Sequence, residues 1–410
     1  MKCSRVFFFC FAGLVLLTKG LYAEVKVTPI ANIDLMGGQY WVTGASPDKL
    51  SANLDIFFCP VLNFSPRTAL LPIYTGLYSG TKDVKELIGG GTLTREMQDH
   101  SISLKFVHKL NDAWKLKSRV GYKIEYLKET VDETWGKGLF DFKKMIIGAE
   151  AEKSWETWNG RVGIDYYTMN YPNYQSLVSQ TAFQTSLDTT TYTEISTQAG
   201  KDVLDYNTMS LFLEAKHKFS ANLYGTAHND ISIKSFKDQK IVKNTGEFSP
   251  DLRSDLVNYL TFGIRVVGPK AVLGITDGIQ YYKSNQSSYD AANSKFIADY
   301  YNYTQNSVMP SITFTLGSGD LPMSLTLYWD ITYRAYASRP AQSDDGTYKS
   351  ENINQTTNTF GMNFTYPIIK SVSAKFSTNY RDSSSNMKYE KNYKYNYYTF
   401  NYFVGMNWQL

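Results

Sequence analysis

Long runs in which apolar and polar residues alternate strictly, about 10–16 residues at a time, constrain this chain more than anything else in it. Residues 114–126 show the pattern best. One face carries Trp114, Leu116, Ser118, Val120, Tyr122, Ile124 and Tyr126; the other carries Lys115, Lys117, Arg119, Gly121, Lys123 and Glu125. Successive strand residues point to opposite sides of a sheet, so such a run is a strand with one greasy and one charged face. Residues 323–335 repeat it, and so does the final run of Phe400, Tyr402, Val404, Met406, Trp408 and Leu410. No helical period is sustained anywhere. A mean hydropathy of −0.33 excludes a polytopic helical membrane protein, which needs many apolar segments of about 20 residues. A formal charge of +4 gives no reason to expect nucleic acid as a partner, and three Cys with four His leave no cysteine-built zinc or iron–sulfur site.

The connections between runs alternate in length. Short ones fall at residues 65–68, 111–112, 156–160, 220–222, 268–270, 317–321 and 367–370. Longer polar ones fall at 36–50, 82–99, 131–139, 174–202, 239–254, 285–300, 338–351 and 382–393. Seven short and eight long connections predict sixteen strands, within a range of fourteen to eighteen, with both termini on the short-turn side. No Pro/Gly linker or composition break divides the chain, so one domain is expected over residues 24–410.

Residues 1–23 read as a secretory signal peptide. Lys2 and Arg5 precede an apolar run from Val6 to Leu17, and Leu21, Tyr22 and Ala23 form a cleavage site after Ala23. The run is too short for a membrane span. Cleavage would remove Cys3 and Cys10, leaving Cys59 and no internal disulfide to hold an exported protein together.

Two architectures use amphipathic strands. A soluble sandwich buries the apolar face, and its strands usually run about 5–6 residues. A transmembrane barrel turns that face to lipid and needs about 9–11 residues per strand, with short periplasmic turns and longer outer loops. Strand length, loop alternation and an even strand count favour an all-β, antiparallel, up-and-down transmembrane β-barrel.

The closing heptad, Val404, Gly405, Met406, Asn407, Trp408, Gln409, Leu410, resembles the C-terminal sorting signal of bacterial outer-membrane β-barrel proteins. Gly405, Trp408 and Leu410 match position for position; Leu410 stands where the family usually has Phe, and Phe403 where a polar residue is common. The resemblance implies a porin-like protein in the bacterial outer membrane, inserted by the barrel-assembly machinery, and leaves open association into a homotrimer.

Sixteen strands enclose a lumen too wide for side chains to fill. The alternation predicts the basic residues Lys105, Lys115, Lys117, Arg119, Lys123, Lys144, Arg161, Lys216, Lys218, Lys234, Arg265, Arg334, Lys375 and Arg381 facing inward. It predicts the acidic residues Asp34, Asp55, Glu125, Glu150, Glu152, Asp165, Glu214, Asp230 and Asp330 beside them. Fourteen against nine suggests a wet channel with a mild anion preference, passing small hydrophilic solutes. The alternative is a closed barrel with a structural, adhesin or receptor role, to whose blockage the inward residues Tyr328, Phe212, Phe236 and Phe57 would contribute.

In porins that this chain resembles, the third outer loop usually constricts the pore. Here that loop is short, and the Ser/Thr-rich fourth, residues 174–202, is expected on the surface. Trp41, Trp135, Trp155, Trp158, Trp329 and Trp408 fall mostly near strand ends, as an interfacial girdle would. The tyrosines between 389 and 402 are the best candidates for a sugar-stacking track. Of the histidines, His108 and His217 are expected on the lipid face, and His100 starts a strand beside Asp99. Only His228 and Asp230 share an inward face at mid-strand. Residues two apart lie about 7 Å from each other, too far for a direct hydrogen bond, so no catalytic residue, cofactor or metal ligand is expected.

Overall fold

The computed structural model describes residues 25–43, 50–80, 83–87, 90–130, 132–174, 202–290, 293–391 and 393–410. The leader, its cleavage site at Ala23 and most of the fourth outer connection lie outside the described residues. Within them every regular element is a strand.

The wall begins with β1 (Lys26–Thr28) and β2 (Ala31–Val42), followed by β3 (Ser51–Phe58) and β4 (Val61–Ser65). Each pair is one wall strand interrupted at a proline, Pro29 or Pro60. The two interruptions lie side by side, and Ile30 and Cys59 exchange backbone hydrogen bonds of 3.1 and 2.8 Å across them. Proline offers no N–H to a ladder, so paired breaks at the strand starts cost least. The wall continues with β5 (Thr68–Ser79), a short hairpin of β6 (Asp83–Leu87) and β7 (Gly90–Thr94), then β8 (Glu96–Lys109), β9 (Trp114–Lys128), β10 (Phe142–Ser154), β11 (Trp158–Asn170) and β12 (Tyr206–Lys218). Next come β13 (Leu223–Val242), β14 (Phe248–Val267), β15 (Ala271–Ser284) and a second hairpin, β16 (Ser288–Asp290) with β17 (Lys295–Ile297). The last strands are β18 (Tyr303–Leu316), β19 (Met323–Gln342), β20 (Tyr348–Ile369), β21 (Val372–Ser385) and β22 (Tyr397–Gln409).

Neighbours pair antiparallel all the way round, and β22 pairs with β2, closing eighteen segments into a barrel of sixteen wall strands. At the seam Ala31 and Leu410 exchange backbone hydrogen bonds of 3.1 and 2.9 Å on the short-turn side. The strand number and alternating connections therefore agree with the sequence reading.

Three connections differ from it, the first being 36–50, whose residues 36–42 belong to β2 and pair with β22. Residues 239–254 and 338–351 were expected to be loops, but β13–β14 and β19–β20 carry on as hairpins past the rim, with register shifts at 235–242 and 335–342. Pro340 sits at such a shift, which is how a proline is tolerated inside a strand. The connections at 82–99 and 285–300 contain the two small hairpins.

The outer face is an apolar belt: Leu116, Ile147, Ile164, Leu211, Ile264, Leu273 and Val404 are all exposed. Trp155, Trp158 and Trp408 sit toward its short-turn end, and Trp41 packs on Phe400 and Tyr402 toward the other. Trp329 departs from the girdle expectation, stacking on Phe360 at mid-strand with ring centroids 5.1 Å apart.

Inside, large rings lie flat on glycines. A Cβ on Gly361 would come within 2.1 Å of the Tyr328 ring and one on Gly163 within 2.4 Å of Phe212, whereas one on Gly38 would strike the Tyr402 carbonyl oxygen at 1.9 Å. Two of the inward aromatics, Tyr328 and Phe212, thus hug the wall instead of projecting across the lumen.

At the seam, a Cβ on Gly405 would meet the Leu35 carbonyl oxygen at 2.0 Å, a backbone clash that no rotamer relieves. Gly405→Val is therefore expected to cost more than the roughly 1–3 kcal/mol typical of overpacking and to prevent closure. Refolding into detergent without assembly factors and scoring heat-modifiable gel mobility checks this; normal folding of the variant would show that Gly405 serves recognition only.

Candidate channel interior

The wall of β8 to β12 carries a ladder of ion pairs built by register. Because β9, β10, β11 and β12 are neighbours in order, inward residues on one strand stand beside inward residues on the next. Lys117 bonds Glu150 and reaches Glu152 at 2.5 Å, while Lys115 holds Glu152 at 2.7 Å and Lys105 lies 3.6 Å from Glu150. Arg119 grips Asp165 through both Nε and Nη2. Arg161 reaches Glu214 at 2.5 Å, and the Lys216 ammonium lies 2.9 Å from the same carboxylate. Higher up, Lys123 joins Asp99 and Glu125, and Glu125 also accepts from Lys85 of the β6–β7 hairpin.

The other sequence-named residues are spread around the barrel, Lys144 within this same wall on β10 and most of the rest beyond it. Lys375 pairs with Asp34 across the closing seam. Asp330 accepts from Ser307 at 2.8 Å and Thr332 at 3.2 Å. Arg334 donates to Gln305 at 2.6 Å and lies over the Tyr303 ring. Lys144 sits over Tyr167, 3.9 Å from its centroid. Arg381 stands opposite Thr359 on the inward side. Arg265 lines a cavity of about 940 Å³ at the short-turn end, together with Lys216 and Lys218.

His228 and Asp230 do not come together. The His228 ring stacks on Phe212, and one Asp230 oxygen accepts from Ser210 and Ser232. His217 stacks on Trp158 at 4.0 Å, and His108 bonds Thr68 at 2.9 Å.

At the loop end a chamber of about 450 Å³ opens within the ring of strands. Its lining mixes tyrosines (Tyr171, Tyr206, Tyr282, Tyr301, Tyr303, Tyr336) with cations (Lys85, Lys234, Arg253, Arg334, Arg339) and Glu125. Arg253 is 4% exposed and makes a bidentate pair, 2.8 and 2.9 Å, with Asp255, which is wholly buried and also accepts from the Tyr282 hydroxyl. Arg339, 3% exposed, donates to the Tyr395 hydroxyl at 2.7 Å and lies over Tyr300 and Tyr336. Guanidinium planes stack on aromatic faces as ammonium groups cannot.

Loops complete the chamber. Asp141, 2% exposed, accepts from the Leu127 and Gly138 amides at 2.8 and 3.1 Å and fixes the loop after β9. Burial raises its pKa, and those amides oppose the rise. Burial likewise pushes the Tyr300 phenol up to about 12, against the pull of Arg339. The same cause lifts Tyr171 to about 12, helped by Glu125.

Arg253 and Arg339 fall in the stretches 239–254 and 338–351 that the sequence assigns to loops, and Asp255 is the first residue beyond the former, where the inward face had not yet been established. The alternation of Arg253 and Asp255 with Leu252, Ser254 and Leu256 was the available signal. The tyrosines come from many strands and loops, and no local pattern unites them. Of the run expected to form a sugar track, Tyr398 faces outward, while Tyr389 and Tyr393 pack against the buried cluster of Tyr336, Ile353, Met387 and Tyr395.

This fold, with its apolar belt outside and its charged interior, defines a closed, sixteen-stranded, antiparallel up-and-down β-barrel of the membrane-spanning kind. No family model matches the chain, and no curated protein does. Among solved structures it is similar to outer-membrane-expressed OmpT of Vibrio cholerae, at 10% identity over 95% of this chain and 100% of that one, with a TM-score of 0.44. It is also similar to the anion-selective porin from Comamonas acidovorans, at 9% identity, 94% and 100% coverage and a TM-score of 0.41. OccD3 (OpdP) of Pseudomonas aeruginosa stands at 7% identity, 95% and 93% coverage and 0.46.

Removing one partner of a buried ion pair costs about 3–5 kcal/mol, because the other charge stays buried. Arg253→Met should lower barrel stability by that order, and Arg253→Met with Asp255→Leu should recover much of the loss. Urea midpoints in micelles, followed by tryptophan fluorescence, test the pair; equal loss in both variants would refute the argument.

Proposed function

We propose that the chain is a passive diffusion channel for small hydrophilic solutes, with a preference for anions. The observation that carries this reading is the charge of the outer chamber. Five cationic side chains line it against Glu125, with Asp255 set behind Arg253. A narrow passage with one predominant sign, walled by low-dielectric material, concentrates counter-ions of the opposite sign. The tyrosine faces offer sequence-tolerant stacking to any planar or sugar-like solute without fixing its identity. Solutes move down their gradients, and no catalytic group, cofactor or metal enters the mechanism.

The pairs on the β8–β12 wall have a different part. Most cations there already have a carboxylate within reach, Lys144 over Tyr167 being an exception, so their net field is small and their work is to hold the wall rigid and wet. Selectivity is assigned to the chamber. Export by a leader cleaved after Ala23 and insertion through Gly405, Trp408 and Leu410 by the barrel-assembly machinery belong to the same reading, with the lipid of the outer membrane as surroundings. Association up to a homotrimer is compatible with it, since each lumen conducts alone.

One observation favours the second reading, a barrel shut at its outer end. Tyr174, Tyr301 and Tyr393 come from three different loops, yet they stand close together. Burial, and after it the nearness of Tyr393 and Tyr301, raises the Tyr174 pKa.

Refolded protein in a planar bilayer, with a KCl gradient, separates the two. The channel reading expects stable conductance and an anion-favouring reversal potential, brought near zero by Arg334→Gln with Arg339→Gln. A folded protein without conductance would establish the closed barrel, and a cation-favouring reversal would overturn the assignment of selectivity to the chamber.

A further inference from the structure

The cavity at the short-turn end of the lumen is built unlike the rest of the interior. On β14 and β15 the inner wall is bare at Gly263 and Gly274. Gly263 has Thr226 and Thr276 as its cross-strand neighbours, and Gly274 has Arg265 and Ser311. Strand alternation turns all six residues inward. Lys216 stands beside Thr226 in the same row, and one row nearer the turns Tyr224 separates Lys218 from Arg265. All of them line the same space of about 940 Å³.

Hydroxyls lean over the bare floor. A Cβ on Gly263 would lie 2.5 Å from the Thr226 Oγ1 and 3.7 Å from the Thr276 Oγ1, and one on Gly274 would lie 2.9 Å from the Ser311 Oγ. Charge is gathered at one edge. Lys216 shares Glu214 with Arg161, whereas among the described residues no carboxylate pairs with Lys218 or Arg265. Glu156, exposed in the turn after β10, is the one carboxylate of the lining, so three cations face one anion, an excess of two positive charges. Two strand spacings, about 10 Å, separate the backbones of Lys218 and Arg265, a gap that two long side chains close on a single anion.

We propose that this hollow binds a sugar phosphate: a phosphomonoester carried on a hydroxyl-rich body. A phosphomonoester bears close to two negative charges at neutral pH, which answers the excess. The fork of the Arg265 guanidinium fits its oxygens, and the two lysines supply point charges. Glycine lets a ligand approach the backbone closely, so the sugar lies on the floor at Gly263 and Gly274. There Thr226, Thr276 and Ser311, each a donor and an acceptor, meet its hydroxyls. Inorganic phosphate would use the cations and leave the hydroxyls without a partner. The site is separate from the outer chamber, and its occupancy does not depend on whether the lumen conducts.

Calorimetric titration of the refolded full-length barrel in detergent, at low salt, tests it. Glucose 6-phosphate is expected to bind at least ten-fold more tightly than inorganic phosphate, and glucose to give no measurable heat. Lys218→Gln with Arg265→Gln should weaken glucose 6-phosphate at least ten-fold while heat-modifiable folding persists. Thr226→Val with Thr276→Val should bring it down to the affinity of inorganic phosphate. Equal affinity for the two phosphates, or undiminished binding in the Lys218/Arg265 variant, would overturn the proposal. So would loss of binding in Arg334→Gln with Arg339→Gln, which would move the site to the chamber. The ranking of the three probes on the unaltered chain decides the matter even if a variant fails to fold.

Discussion

Everything in this molecule follows from the scarcity of hydrogen-bond partners in hydrocarbon. A sheet placed there cannot leave an open edge, because each unpaired backbone group costs several kcal/mol. Closure between β2 and β22 is therefore not one contact among many but the condition under which the others exist. It dictates long strands, and it turns the polar–apolar alternation inside out relative to a soluble protein. The alternation then places cations on one strand beside carboxylates on the next, and the ladder from Lys105 to Lys216 is the result.

The two ends of the lumen are built differently. Along the β8–β12 wall, charges answer one another laterally, and the surface presented to water is nearly balanced. In the outer chamber Lys85 and Arg253 are paired with Glu125 and Asp255, while Arg334 and Arg339 lie against aromatic faces, as Arg339 does against Tyr300, Tyr336 and Tyr395. Aromatic rings steady a guanidinium without cancelling its charge. A chamber made that way keeps its field, and a wall made of ion pairs does not.

Strand existence and facing were legible in the sequence because a period of two is a local property. Trp114 to Lys128 could be assigned side by side from the order of residues alone, and the structure places Lys115, Lys117 and Arg119 on the charged side accordingly. Where strands outrun the membrane the pattern loosens, since both faces meet water or loops. That is why the upper reaches of β14 and β19, with Arg253 and Arg339, were taken for loops. Pro340 is accommodated inside β19 only because a register shift absorbs it. The chamber itself was out of reach: Tyr171, Tyr282 and Tyr336 are more than fifty residues apart in sequence, and only the tilt and closure of the barrel bring them together.

The rings resting on glycines make bore width a property of pairs. Tyr328 lies flat only because Gly361 has no side chain, and Phe212 depends on Gly163 in the same way. Giving Gly361 a methyl group would lift the Tyr328 ring off the wall and into the water column, narrowing the passage without touching strand number, tilt or any charge, whereas at Gly163 the Ala149 carbonyl oxygen, 2.9 Å away, would have to give as well. A lineage carrying this fold could thus retune what it admits by single small steps at such pairs, each reversible, while the costly business of closing the barrel is left undisturbed.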